Sequence, residues 1–169
     1  MRQKQNSQSG FTLMELLVII SIIGLLSSVI MVSMRQSREK AYYSRAAQEM
    51  RSMANGFELY YSEHNAYPAD ANRGVMPSGM NSFLPGGWPD GPWPGSVYDW
   101  DGWADPERPG QMIYQISLRF CAAGGGSCSY PNMDWAEDFG VDSAVYFCLS
   151  GTCRSHVSHP VDYPGKRVN

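Results

Sequence analysis

The chain has 169 residues, enough for one modest domain and an appendage. Only 17% of them are charged, against roughly 25% in an ordinary soluble domain. Net charge is −3, and from His64 onward six basic residues face eleven acidic ones. That balance repels a phosphate backbone and excludes nucleic-acid binding as the default role of that part.

Residues 1–10 (MRQKQNSQSG) are polar and basic, whereas Phe11 to Met34 runs apolar with Glu15 as its one charge. The 19 uncharged residues from Leu16 to Met34 span roughly 29 Å as a helix, close to the hydrocarbon thickness of a bilayer. Arg2 and Lys4 precede this span and Arg35, Arg38 and Lys40 follow it. The far side therefore carries more positive charge than a simple positive-inside arrangement provides. A secretory signal peptide would have a shorter apolar core, about 7–15 residues, and a small-x-small cleavage site. Ser27-Ser28-Val29 is a poor one, and the apolar run continues past it. A plain signal anchor fits the length but leaves Glu15 unexplained, because a carboxylate inside the membrane costs about 2.5–3.5 kcal/mol unless it finds a partner.

No proline occurs between Phe11 and Tyr67, so one helix is expected from Phe11 to about His64, ended by Asn65 and Pro68. Past Met34 its character changes. Ala46/Ala47, Met50, Met53/Ala54, Phe57 and Tyr60/Tyr61 recur at helical spacing between charged and amide residues. Residues 35–66 therefore form an amphipathic half whose apolar face is the core of its own domain.

The stretch from Tyr67 to Gly110 is rich in Pro, Gly and Trp, and GGWPDGPWPGSVYDWDGW alone holds four of the five tryptophans. Tryptophan at this density buries area, so a long ordered loop with few strands is expected, packed on the rest of a globular head at 67–169. A carbohydrate-binding aromatic platform is the less favoured use of the same residues. Asp99, Asp101, Asp105 and Glu107 cluster within nine residues. Oxygen-rich sets of this kind ligate calcium, but the spacing is not that of an EF-hand, and acidic turn residues in solvent are the plainer expectation. No cofactor is expected beyond that one candidate cation.

Tyr114, Ile116, Leu118 and Phe120 alternate with Gln115, Ser117 and Arg119, and Val145, Phe147 and Leu149 alternate with Ala144, Tyr146 and Cys148. Each pattern predicts a half-buried strand. The cysteines are Cys121, Cys128, Cys148 and Cys153. An even number behind an export-type N-terminus favours two disulfides in an oxidising compartment. Zinc competes, with His156 and His159 close by, but Cys-x6-Cys and Cys-x4-Cys are wider than a structural knuckle. Ser150-Gly151 reads as a turn that sets Cys148 opposite Cys153, while Cys121 and Cys128 enclose the AAGGGS loop. The local pairs 121–128 and 148–153 are thus expected among the three connectivities. The tail from Val157 is polar and expected to pack loosely. No G-x-S-x-G, H-E-x-x-H or Gly-rich phosphate loop occurs, so an enzyme is not expected.

Ser9-Gly10-Phe11-Thr12-Leu13-Met14-Glu15 ahead of an apolar helix resembles the class III signal of type IV pilins and type II secretion pseudopilins. The resemblance implies a leader (1–10) that a prepilin peptidase removes after Gly10, N-methylation of Phe11, and pairing of Glu15 with the terminal amine of a neighbouring subunit. It implies an α+β, pilin-like ladle: a long N-terminal helix, transmembrane or filament core at 11–34, laid on a small antiparallel sheet beside the Trp/Pro/Gly-rich loop. The partners it implies are other copies and related pilins in a helical filament, the peptidase, a pilus assembly platform and the membrane. The precursor would be a single-pass protein of the cytoplasmic membrane, and the product an extracellular pilus or a periplasmic pseudopilus. The cysteines and the Trp-rich loop favour a surface pilus subunit. A type II secretion pseudopilin is the alternative, ahead of a tip adhesin or a membrane-anchored surface protein or enzyme. Some major pseudopilins carry a calcium site in a late loop, which bears on the acidic cluster. The chain departs from many members in having Val32 where they place a proline, leaving Gly24 as the weak point of the helix.

Overall fold

The computed structural model of the chain describes residues 11–120, 143–155, 157 and 165–169. In chain order its elements are α1 (Leu13–His64), a single 3-10 turn (Met80–Ser82), β1 (Val97–Ala104), β2 (Met112–Arg119), β3 (Ser143–Ser150) and β4 (Lys166–Arg167). Two compact units divide between Arg38 and Glu39, within α1.

The first unit is the apolar part of α1. Every side chain from Phe11 to Arg38 is exposed, and the helix is long and apolar enough to cross a membrane. In lipid each polar group needs an internal partner. The Ser21 hydroxyl donates to the Leu17 carbonyl at 2.8 Å and that of Ser28 to the Leu25 carbonyl at 2.7 Å.

In the second unit α1 turns amphipathic. It buries Ala46, Ala47, Met50, Met53, Ala54, Gly56 and Phe57, a stripe three to four residues apart that covers one face of a sheet. The sheet has the order β1-β2-β3-β4. β1 and β2 are antiparallel, with Trp100 opposite Ile116, and β2 and β3 are antiparallel, with Ile116 opposite Phe147. β4 runs parallel to β3, Val145 pairing with Lys166. The sheet is therefore mixed, where a wholly antiparallel one was expected. The fifteen residues between Ser150 and Lys166 are enough for the crossover that a parallel neighbour requires.

β1 lies inside the stretch that composition marks as loop. Tyr98 and Trp100, both fully buried, join the core under α1. Asp99 and Asp101 alternate with them and point to the other face, and they too are buried, at 6% and 4% exposure. The tryptophans pack as their density predicts. Trp100 stacks on Phe57 with ring centroids 3.7 Å apart and donates through Nε1 to the Pro68 carbonyl at 3.1 Å. Trp93 donates through Nε1 to Glu39 Oε2 at 2.6 Å, and Tyr98 donates its hydroxyl to Glu49 Oε2 at 2.6 Å. The helix ends where Asn65 adopts φ 54°, a left-handed cap that asparagine tolerates, with its N–H on the Tyr61 carbonyl at 2.8 Å.

Candidate functional site

The residues that the sequence singles out at the start of the span meet at the first turn of α1. Thr12 precedes the helix, and its backbone N–H and its Oγ1 hydroxyl both donate to Glu15 Oε2 at 2.8 Å. In return the Glu15 N–H donates to Thr12 Oγ1 at 3.2 Å. This is a capping box, in which N-cap and N3 side chains satisfy each other's orphan donors. Glu15 is thus not a bare carboxylate on its own helix. The signal was present in Thr12-Leu13-Met14-Glu15, a T-x-x-E before an apolar run.

The box leaves two things unmet. Both of its bonds use Oε2, and no cation among the described residues pairs with Glu15. Glu15 therefore presents a free oxygen and a full negative charge beside Phe11, which is 79% exposed. Together with Met14, Val18 and Ile19 they flank one shallow concavity. An ammonium group fits that oxygen. Gly10 lies outside the described residues.

The acidic cluster of β1 is not gathered around one point. Arg119 on β2 takes Asp99 Oδ2 on its Nε at 2.8 Å and Asp101 Oδ1 on its Nη2 at 2.7 Å. Arg154, beyond β3, takes Glu107 Oε1 at 2.9 Å and Asp105 Oδ1 at 3.4 Å. Gln115 joins the two sets, its Nε2 donating to the Arg154 carbonyl at 2.7 Å and to Asp101 Oδ2 at 3.3 Å. Asp99, Asp101 and Asp105 are buried against two guanidinium groups where solvent-exposed turn acids were expected, whereas Glu107 is exposed as expected. The strand directs Asp99 and Asp101 to one face, and cross-strand arginine reaches them there. Among the described residues no three acidic, thiol or imidazole side chains converge to hold an ion. Sequence reading missed Arg119 and Arg154 because neither is near its partners in the chain.

Cys148 and Cys153 are joined by a disulfide, S–S 2.04 Å. Cys121, Cys128, His156 and His159 lie outside the described residues. The Ser150-Gly151 turn does not lead into a hairpin strand. Gly151, at φ 83°, backs so closely onto β2 that a Cβ there would lie 2.5 Å from the Met112 carbonyl oxygen. The chain then crosses to β2, where the Arg154 N–H donates to Gln115 Oε1 at 3.1 Å.

Comparison with known proteins bears on this arrangement. A family model described as the prokaryotic N-terminal methylation motif matches residues 5–31. The type II secretion system core protein G of Aeromonas hydrophila is 30% identical over 101 residues, covering 53% of this chain and 71% of the relative. The proteins of the same name from Escherichia coli K12 and Vibrio cholerae are 33% and 30% identical. This chain spans about half the length of each, 48% and 45%. No solved structure matches the chain. With a methylation motif on the apolar helix, an α+β head beyond it and a relative matched over most of its length, the chain belongs to the family of type IV pilins and type II secretion pseudopilins.

Proposed function

We propose that the chain is a prepilin, cut after Gly10 and N-methylated on Phe11, whose mature form polymerises through α1 as a pseudopilin of a type II secretion system. The observation that carries the reading is the match to the Aeromonas hydrophila core protein G. It covers 53% of this chain, more than the leader and α1 together, and so extends beyond the helix common to pilins. The surface-pilus reading rests on the tryptophans and the cysteines, and those among the described residues have work inside the head. Trp93 and Trp100 hold α1, and Cys148–Cys153 closes the turn after β3.

The chain performs no catalysis in this reading; chemistry is done to it. In the membrane, the Glu15 charge costs about 2.5–3.5 kcal/mol without a counter-ion. Cleavage after Gly10 would create an ammonium on Phe11, and the free Glu15 oxygen of a neighbouring copy would accept it. Processing thereby gates assembly, because an uncut precursor has no such amine. Its partners are then related pseudopilins, the prepilin peptidase and the assembly platform in the membrane, and the product is a periplasmic filament.

The test is made in the organism that encodes the chain. Mass spectrometry of the native protein should read N-methyl-phenylalanine as its first residue, and deletion of the gene should trap secreted enzymes in the periplasm. A native protein that keeps Met1, or begins after Ser28, removes the prepilin reading. Unchanged secretion together with lost surface filaments would restore the pilus.

A further inference from the structure

Where the end of α1 meets the start of β2 and the end of β3, the head carries an open cavity of about 500 Å³. That size lies within the roughly 300–1,000 Å³ of small-molecule sites. Glu58, Tyr61, Asn65, Tyr67, Tyr114 and Ser150 are among the residues that line it. Glu58 and Tyr61 are three apart on α1 and share one face of it. Asn65 ends the helix, and the chain turns back so that the Tyr67 hydroxyl donates to Glu58 Oε1 at 2.8 Å. The sheet register sets Tyr114 between Gly102 and Ser150. The missing side chain at Gly102 makes room for the Tyr114 ring, since a Cβ there would lie 3.2 Å from Tyr114 Cε1.

The tyrosine rings form a row held from the core outward. Fully buried Trp100 stacks on Tyr114 with ring centroids 5.9 Å apart. Tyr67 lies 4.6 Å from Tyr114 and 4.7 Å from Tyr61, and Tyr61 ends the row at 43% exposure. The polar groups along this row are uncommitted. Among the described residues no hydrogen bond engages the hydroxyls of Tyr61, Tyr114 and Ser150, the Asn65 side-chain amide or Glu58 Oε2. Burial, then Glu58 and the Tyr61 and Tyr114 hydroxyls, push the Tyr67 hydroxyl above its ordinary pKa, which sets those polar ends close together.

The set is mixed in kind. Each hydroxyl and the amide can both donate and accept, whereas Glu58 Oε2 only accepts. An anion is repelled by Glu58. An ammonium group would leave the amide donors unanswered and lean on a carboxylate that Tyr67 already holds. A neutral polyol answers donors and acceptors alike. The C–H face of a pyranose packs on a tyrosine ring, an apolar body with a polar end that reaches the sugar's hydroxyls. Rings already fixed on a core tryptophan lose little freedom when they bind.

We propose that this cavity binds a pyranose unit of an oligosaccharide, its ring face on Tyr61 and its hydroxyls on Glu58 Oε2, Asn65, Tyr114 and Ser150. The site belongs to the head and does not depend on how the N-terminus is processed or which filament the chain joins.

The experiment is an NMR titration of the full chain in dodecylphosphocholine micelles, which carry no sugar, with isotope-labelled tyrosine rings. Tri-N-acetylchitotriose stands for N-acetylated glycans, maltotriose for neutral ones, and tetramethylammonium for an organic cation. At least one saccharide should shift the Tyr61 and Tyr114 resonances saturably, with a Kd of about 1 mM. A response to one alone names the glycan class, and a response to both marks a site that reads the pyranose ring itself. Tyr61→Ala should weaken binding about tenfold while the chain still melts cooperatively. If that variant does not fold, Glu58→Gln is measured in its place and should bind about threefold more weakly. Unchanged affinity in the folded variant overturns the proposal. So does the absence of a saturable shift with either saccharide up to about 10 mM. Saturation by tetramethylammonium without a saccharide response also overturns it, and makes the cavity a cation site.

Discussion

Asp99 and Asp101 both bond the Arg119 guanidinium on a buried face. Asp99 Oδ1 has no hydrogen-bond partner among the described residues. Burial, then the neighbouring Asp101 carboxylate, push Asp99 up to about 7, against the pull of Arg119 and Arg73; burial pushes Asp101 up as well. The folded head thus binds a proton that the unfolded chain gives up near the ordinary value of 3.8. Stability from that proton is complete below about pH 4 and is lost as pH rises through 7. The full chain in detergent should gain about 4 °C or more in Tm from pH 8 to pH 5.5 relative to Asp99→Asn, which has no such proton to bind. Equal pH slopes for the two proteins would show that Asp99 takes up no proton in that range. At the other end of the chain, Thr12 and Glu15 can be separated by function. Thr12→Val removes the cap hydroxyl and should fray the helix start, costing about 0.5–2 kcal/mol, yet leave filaments forming because the carboxylate remains. Glu15→Leu should insert and be processed but yield few filaments. Yields of crosslinked multimers decide it: equal losses from both variants would make capping, and not the charge, the role of Glu15.

Along α1, the two interior glycines face opposite situations. Gly24 has nothing within 4 Å of a built Cβ, whereas at Gly56 that atom would lie 2.7 Å from Leu84 Cδ2 and 2.8 Å from the Phe83 carbonyl oxygen. Alanine is favoured over glycine in a helix by about 1 kcal/mol. Gly24→Ala should therefore raise helicity in detergent, seen by circular dichroism, with no loss of head stability. Gly56→Ala gains the same propensity but must push backbone aside. It should lose about 1–3 kcal/mol in a thermal or urea melt, as overpacked cores do. An unchanged melt for Gly56→Ala would mean that the segment at Phe83–Leu84 gives way freely. That segment and the aromatic contacts of Trp93 and Trp100 make the amphipathic half of α1 part of the head, which is why its glycine is a packing residue.

At the scale of the whole chain, a lipid-type unit and a water-type unit share one helix but have separate sources of stability. The first is stable through its own backbone bonds in an apolar solvent. The second depends on its core and on closures near the C-terminus. There the Cys148–Cys153 bond sits beside Asn169, whose side-chain Nδ2 donates to the Cys148 carbonyl at 2.7 Å and whose Oδ1 accepts the Cys148 N–H at 3.0 Å. Closing so short a loop is worth about 2 kcal/mol. Cys148→Ser with Cys153→Ser should lower head stability by about that amount in a denaturant melt and leave carbonate-resistant insertion unchanged. Loss of insertion in that variant would contradict the independence of the two units.

The course of α1 was readable residue by residue. A run free of proline, T-x-x-E at its start, a periodic stripe from Ala46 to Phe57 and Asn65 at its end are local features, and helices are built from contacts four residues apart. The apolar span and the methylation motif were readable for the same reason, since both depend on composition and order over a short stretch. The two strands with apolar alternation, β2 and β3, could likewise be read. β1 could not, because its second face is made of Asp99 and Asp101, and a carboxylate in a sequence reads as solvent-facing until a buried counter-charge is known. That counter-charge is Arg119, eighteen and twenty positions away, and for Asp105 it is Arg154, forty-nine positions away. Only the antiparallel register of β1 on β2 and the crossing of the chain after Gly151 bring them together. The parallel pairing of β4 was decided in the same way, by where a long connection returned to the sheet. Contacts within one turn of helix follow from the order of residues; the sign and burial of charge across a sheet follow from the fold that closes them off from water.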